Sequence, residues 1–317
     1  MEYTSYIELE KDLIALLEQE NYREAVDLLG KASEILPQKE FEENYFDILF
    51  NKARFSTNCN MYDESIKTLI YLVEQGYACP LQWKRFEPLQ QDPRYANLEH
   101  KNDLLIKQAQ EKSKLEYFVH LPESYYKNKQ YPLFINLHGD GENVKLHSQY
   151  WKPDAFLKKD FIVVYIQSSQ VMHHNSYGWT NDQCKARKEI KHIYDLMIQQ
   201  YSIDKDCVII GGFSGGAIAS IDIIMANEFP IKGFIALCAS EKPESFTKEN
   251  AQYAGKRGIK GVLMEGEQDI PVLDEEEMVN VFKEVGLPHE YYINKGIGHW
   301  YPKDLSEKVE KALEFIL

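Results

Sequence analysis

The 317 residues carry a formal charge of −14, with 44% hydrophobic and 27% charged side chains. That balance is ordinary for a globular protein, but the acidic surplus argues against nucleic acid or an anionic membrane as a partner, since both reward a basic surface. The length exceeds one small domain and accommodates two.

The chain opens without the basic start and apolar run of a leader, and no stretch approaches the roughly eighteen apolar residues of a membrane span. Five cysteines (Cys59, Cys79, Cys184, Cys207, Cys238) are scattered without a C-x-x-C pair. Neither a disulfide framework nor a zinc site is expected, and the compartment expected is the cytoplasm. Residues 6–20 set Ile7, Leu9, Leu13, Ile14 and Leu17 on one helical face. Asn21 interrupts, and a second amphipathic run over 22–36 stops at Pro37. The pattern returns over 41–55 and 61–75, with a break at 58–60 and Gly76 as the close. Tyr22-Arg23-Glu24-Ala25-Val26 aligns with Tyr62-Asp63-Glu64-Ser65-Ile66, a period of forty residues. Lone helix pairs cannot bury their faces, so this half must stack on itself. It resembles tetratricopeptide repeats, and 83–98, with Phe86-Glu87-Pro88-Leu89 and Asp92-Pro93-Arg94-Tyr95, stands where a capping segment follows such repeats. The resemblance implies a surface for a protein partner.

Near Lys112 the period changes, which places one all-α helical-repeat domain at 1–112 and a second domain at 113–317. Strands are expected at 115–121, 133–137, 161–166, 208–211, 233–237, 261–264 and 290–293, and helices at 186–201, 216–227, 275–285 and 305–317. Alternating strand and helix predicts an α/β domain with a largely parallel sheet covered on both faces.

Val208-Ile209-Ile210-Gly211-Gly212-Phe213-Ser214-Gly215-Gly216 reads as a strand, a sharp turn and a helix start. A nucleophilic serine exposed on such a turn needs small residues two positions away on either side, which Gly212 and Gly216 supply. The amide of Gly215, at the positive end of the helix, is placed to meet an oxyanion. The order serine, acid, histidine then directs attention to the later strands. After 261–264 come Glu265-Gly266-Glu267-Gln268-Asp269, where Asp269 is preferred as the acid and Glu267 competes. After the last strand, Gly296-Ile297-Gly298-His299-Trp300 offers His299 as the base. His173, His174, His192 and His289 fall at positions that fit the base poorly. Phe134-Ile135-Asn136-Leu137-His138-Gly139-Asp140-Gly141 should give the second oxyanion donor, either the amide of Asp140 or that of Gly141. His138, Trp179 (in Tyr177-Gly178-Trp179, read as a loop) and Trp300 are candidates to line the substrate pocket, with core packing the competing reading for each tryptophan. No metal and no cofactor are expected, because His173, His174 and Cys184 lack ligand spacing.

Tyr117-Phe118-Val119-His120-Leu121-Pro122, Tyr131-Pro132-Leu133, Leu137-His138-Gly139 and Tyr201-Ser202-Ile203-Asp204-Lys205-Asp206-Cys207-Val208 resemble polyhydroxybutyrate-depolymerase and feruloyl-esterase-like serine esterases of the α/β-hydrolase superfamily. Gly266-x-x-Asp269 and Gly298-His299 fit the later positions of the same group. The resemblance covers 115–317 and implies hydrolysis of a small carboxylic ester or thioester through an acyl-enzyme on Ser214. An acyl-peptidase-like serine peptidase shares the elbow and the order of residues, and a non-catalytic interaction module would keep the fold without needing the three residues together.

Overall fold

The computed structural model describes residues 3–269 and 273–317. Met1 and Glu2, part of the start read above for a leader, lie outside the described residues. The chain forms two compact units, Met1–Lys112 and Ser113–Leu317.

The first unit is helical throughout. Helices Tyr6–Glu18, Tyr22–Gly30, Tyr45–Asn58 and Tyr62–Glu74 pack in sequence, burying Leu9, Leu13, Val26, Leu29, Ile48, Phe55, Ile66 and Leu69 between them. The two hairpin turns share a backbone geometry forty residues apart. Glu20 and Asn60 both take the left-handed conformation, at φ 55° and 58°, and Asn21 and Met61 follow with ψ 57° and 58°. The expected helix over 22–36 is instead two pieces, Tyr22–Gly30 and Ala32–Ile35, separated at Lys31 where the helical bonds run out behind Gly30. The stretch read as a cap divides too: Lys84–Gln91 is a 3₁₀ helix around Pro88, and Tyr95 opens an 18-residue helix, Tyr95–Lys112. Tyr95, Leu98 and Asn102 are buried, so packing sustains a helix whose apolar periodicity is weak.

The described residues of the second unit form nine strands: β1 (Glu116–His120), β2 (Tyr131–Leu137), β3 (Ile162–Gln167), β4 (Gln170–His173), β5 (Ser176–Gly178), β6 (Ile203–Phe213), β7 (Gly233–Leu237), β8 (Lys260–Gly266) and β9 (His289–Asn294). Seven of them form one sheet in the order β1-β3-β2-β6-β7-β8-β9, parallel except where β1 meets β3. Strand alternation divides the core into two layers. Leu133, Ile135 and Leu137 face a cluster with helices Gln183–Gln200, Gly215–Ala226 and Lys248–Lys256. Phe134, Val163 and Tyr165 face a second cluster with Asp154–Leu157 and Leu305–Ile316. The hairpin β4–β5 stands apart from the sheet and turns Tyr177 and Gly178 from the expected loop into strand. Because the sheet is parallel, the turns after β2, β6, β8 and β9 emerge at one edge, where such folds hold their chemistry.

Candidate active site

Ser214 follows β6 and precedes helix Gly215–Ala226, with φ 51° and ψ −119°. A non-glycine residue holds that conformation only when its surroundings enforce it. Here they do. A Cβ on Gly212 would lie 2.6 Å from the Leu137 carbonyl oxygen, and one on Gly216 would lie 2.5 Å from the carbonyl oxygens of Leu137 and His138. The Ser214 amide donates to the Leu237 carbonyl at 2.8 Å, tying the turn to β7.

His299, on the loop after β9, brings Nε2 to 2.8 Å from Ser214 Oγ, and its Nδ1 lies 2.5 Å from Asp269 Oδ2. The Asp269 side chain is 8% exposed and that of His299 37%, so the carboxylate is held from water while the imidazole faces the site. Glu267 is exposed and accepts from the Gly296 amide at 2.9 Å, bracing the loop beyond β9 instead of meeting the histidine. The structure thus brings Ser214, His299 and Asp269 together and leaves Glu267 aside. Among the described residues, one group could offer a metal three ligand atoms within 4.8 Å of one another: Cys238, Asp269 and His299. Two of those three are already bonded to each other.

Gly215 heads its helix, so its amide has no acceptor within the helix. The Asp140 side chain lies directly against it: a Cβ on Gly215 would come 2.0 Å from Asp140 Oδ1. Asp140 Oδ1 accepts from the Trp179 amide at 2.7 Å and Oδ2 accepts from the Thr180 hydroxyl, which fixes the loop after β2 beside the helix start. Burial raises the Asp140 carboxyl above its ordinary range. Gly141 is corrected as an oxyanion donor, because its amide is spent on the Tyr177 carbonyl at 2.9 Å. It adjoins an isolated bridge in which the Tyr177 amide donates to the Glu142 carbonyl at 2.8 Å, beside the unanticipated hairpin.

His138 and Trp179 are corrected as pocket-lining residues. Both are fully buried. The His138 Nδ1 donates to the Gly139 carbonyl at 2.8 Å, and Nε2 accepts from the Ser168 amide at 3.2 Å. Burial lowers the imidazole to about 4, keeping it neutral. The Trp179 indole donates to the His138 carbonyl at 2.9 Å. Both side chains shape the loop from behind. Trp300 differs: it is 42% exposed and meets Tyr150 edge-to-face at 5.1 Å. Tyr150, Glu142, His147 and Tyr301 were not singled out from sequence, since a lone polar residue in an amphipathic segment gives no sign of which way it faces. A cavity of 770 Å³ lined by Lys205, Lys232, Arg257 and Lys260, among others, lies at the opposite edge of the sheet and includes none of these groups.

A family described as phospholipase/carboxylesterase matches residues 125–317. Among solved structures, an uncharacterized protein from Bacillus cereus ATCC 10987 is similar over 99% of both chains, at 23% identity and a TM-score of 0.54. Esterase PE8 is 19% identical over 64% of this chain and 100% of its own, with a TM-score of 0.51. A ferulic acid esterase is 17% identical over 64% of this chain and 91% of its own, with a TM-score of 0.53. No match was found among curated proteins. At these identities the structural neighbours speak for the fold, and the family match speaks for descent. With the greater part of its length matched by that family, on a mostly parallel sheet with a serine elbow at its edge, the chain belongs to the phospholipase/carboxylesterase family of α/β-hydrolases.

Proposed function

We propose that the protein hydrolyses carboxylic esters or thioesters of small acyl substrates through an acyl-enzyme on Ser214. The observation that carries the reading is the relay from Ser214 Oγ to His299 Nε2 at 2.8 Å and from Nδ1 to Asp269 at 2.5 Å. In this reading His299 takes the hydroxyl proton as Oγ attacks the carbonyl carbon. Asp269 fixes the tautomer and stabilises the imidazolium. The amides of Gly215 and Asp140 receive the oxyanion. His299 then protonates the leaving group, and water admitted in its place repeats the cycle on the acyl-enzyme. The exposed Trp300 supplies one wall of the substrate pocket.

The helical unit reads as a repeat array offering its surface to a protein partner; what supports this is the matched turn geometry at Glu20 and Asn60. A cytoplasmic setting accords with cysteines that form no disulfide among the described residues. No described helix is long and apolar enough to cross a membrane. The test is Ser214→Ala assayed with p-nitrophenyl acetate and butyrate, alongside fluorophosphonate labelling of the unaltered protein. Turnover should fall by roughly 10³-fold or more with the fold intact. Undiminished turnover, or no labelling, would overturn the reading.

A further inference from the structure

A buried polar network lies beneath the candidate site and plays no part in the steps above. Glu142, 7% exposed, sits two residues beyond Asp140. Its Oε2 accepts from the Gly139 amide at 3.0 Å and from the Tyr301 hydroxyl at 2.8 Å. Tyr301 lies two residues beyond His299 in the chain, and its hydroxyl is also 2.8 Å from His147 Nδ1. His147 Nε2 is in turn 2.8 Å from Asn136 Oδ1 on β2. The Phe213 ring, immediately before the nucleophile, is enclosed by the same groups. It lies 4.2 Å from the Tyr301 ring, tilted by 36°, and a Cβ on Gly139 would come 2.8 Å from its Cδ1.

This arrangement has a mechanical meaning. The serine turn is fixed by the sheet. The oxyanion loop and the histidine loop are not, because they leave the sheet at β2 and β9, at opposite sides of β6. A direct side-chain hydrogen bond, Tyr301 to Glu142, joins them across 159 residues of sequence. We propose that Glu142 and Tyr301 are positioning residues that hold the oxyanion loop in register with His299, so that proton transfer and oxyanion binding meet at one carbonyl. Burying a carboxylate and a phenol is costly without such a return. Burial raises the Glu142 carboxyl and drives the His147 imidazole well below its ordinary range, as expected of groups kept inside for their geometry. The inference rests on the esterase reading and acts only through the residues named there.

The experiment compares kcat and KM for p-nitrophenyl butyrate in the full chain and in Tyr301→Phe, Glu142→Gln, Glu142→Ala and the Tyr301→Phe/Glu142→Ala double variant, with a thermal melt for each. Tyr301→Phe removes one oxygen and keeps the ring against Phe213 and Tyr150. It should lower kcat about 10- to 100-fold while KM stays within about threefold, the signature of misplacement in the transition state. Glu142→Gln keeps an acceptor and should restore kcat to within about fivefold of the parent, whereas Glu142→Ala should not. The double variant should be no worse than the poorer single, because each residue acts through the other. Wild-type kcat in Tyr301→Phe, or single losses that multiply in the double, would overturn the proposal. Should Glu142→Ala not fold, the Tyr301→Phe and Glu142→Gln pair decides. Failure here with Ser214→Ala inactive leaves the esterase reading standing; an active Ser214→Ala removes that reading first.

Discussion

Asp269 and Glu267 both follow β8, two residues apart, and the sequence offers little to choose between them. The backbone chooses. Asp269 turns inward to His299, and Glu267 stays at the surface holding the Gly296 amide. Asp269→Asn should therefore cost about 10⁴-fold in kcat by leaving the imidazole in the wrong tautomer. Glu267→Gln, which keeps an acceptor for Gly296, should stay within a few-fold. Parallel kinetics on the two variants measure this, and a larger loss in Glu267→Gln would reverse the assignment. Trp179 makes the same point about single residues. As an aromatic next to the site it could line a pocket or fill a core, and only its position under the His138 carbonyl decides for the core.

At the scale of the element, the turn from β6 into helix Gly215–Ala226 is closed by steric exclusion. Gly212, Gly215 and Gly216 each face backbone or side-chain atoms too near for a Cβ. Gly215 is the instructive one, since the intruding atoms belong to Asp140 on a different loop. Gly215→Ala must push the Asp140 carboxylate off Trp179 and Thr180, releasing the oxyanion loop as well as crowding the helix start. The expected cost is about 1–3 kcal/mol of stability together with a large loss of kcat, read by thermal melts and steady-state kinetics. A Gly215→Ala variant as active as the parent would show that the two loops move independently. The motif G-x-S-x-G announced Gly212 and Gly216; the contact between Gly215 and Asp140 could not be seen in it. The hairpin β4–β5 was hidden too, because Gln170–Gly178 is short and carries histidines and an asparagine where strands usually show apolar alternation.

At the scale of the whole molecule, buried histidines set how the fold responds to acid. His138 is lowered to about 4, His173 also to about 4, and His147 well below its ordinary range, each chiefly by burial. A histidine whose folded pKa is depressed binds its proton more readily in the unfolded chain, so stability falls as pH drops below the unfolded value. Asp140 and Glu142, raised by burial, pull the other way: they favour folding at low pH and cost stability as pH rises through their folded values. The hydrogen bonds each accepts offset part of that burial. His138 alone should cost about 3 kcal/mol by pH 4. Thermal melts of the full chain from pH 7 to 4 should show Tm falling most steeply between about 6.5 and 4. A constant Tm across that window would mean the three imidazoles are not held neutral inside.

What the sequence determined by itself was the α/β order of the second half, the helical character of the first, and Ser214 and His299 as candidates with an acid to be drawn from Glu267 or Asp269. These are local properties: apolar periods, glycine positions and the order of motifs along the chain report on the backbone nearby. The tertiary structure alone decided that the Gly141 amide is occupied, since the carbonyl it donates to belongs to Tyr177, thirty-six positions away. It also decided that His138 and Trp179 face inward and that Glu142 meets Tyr301. Those outcomes depend on which segments are brought side by side and which polar atoms are thereby removed from water, and no local pattern encodes either.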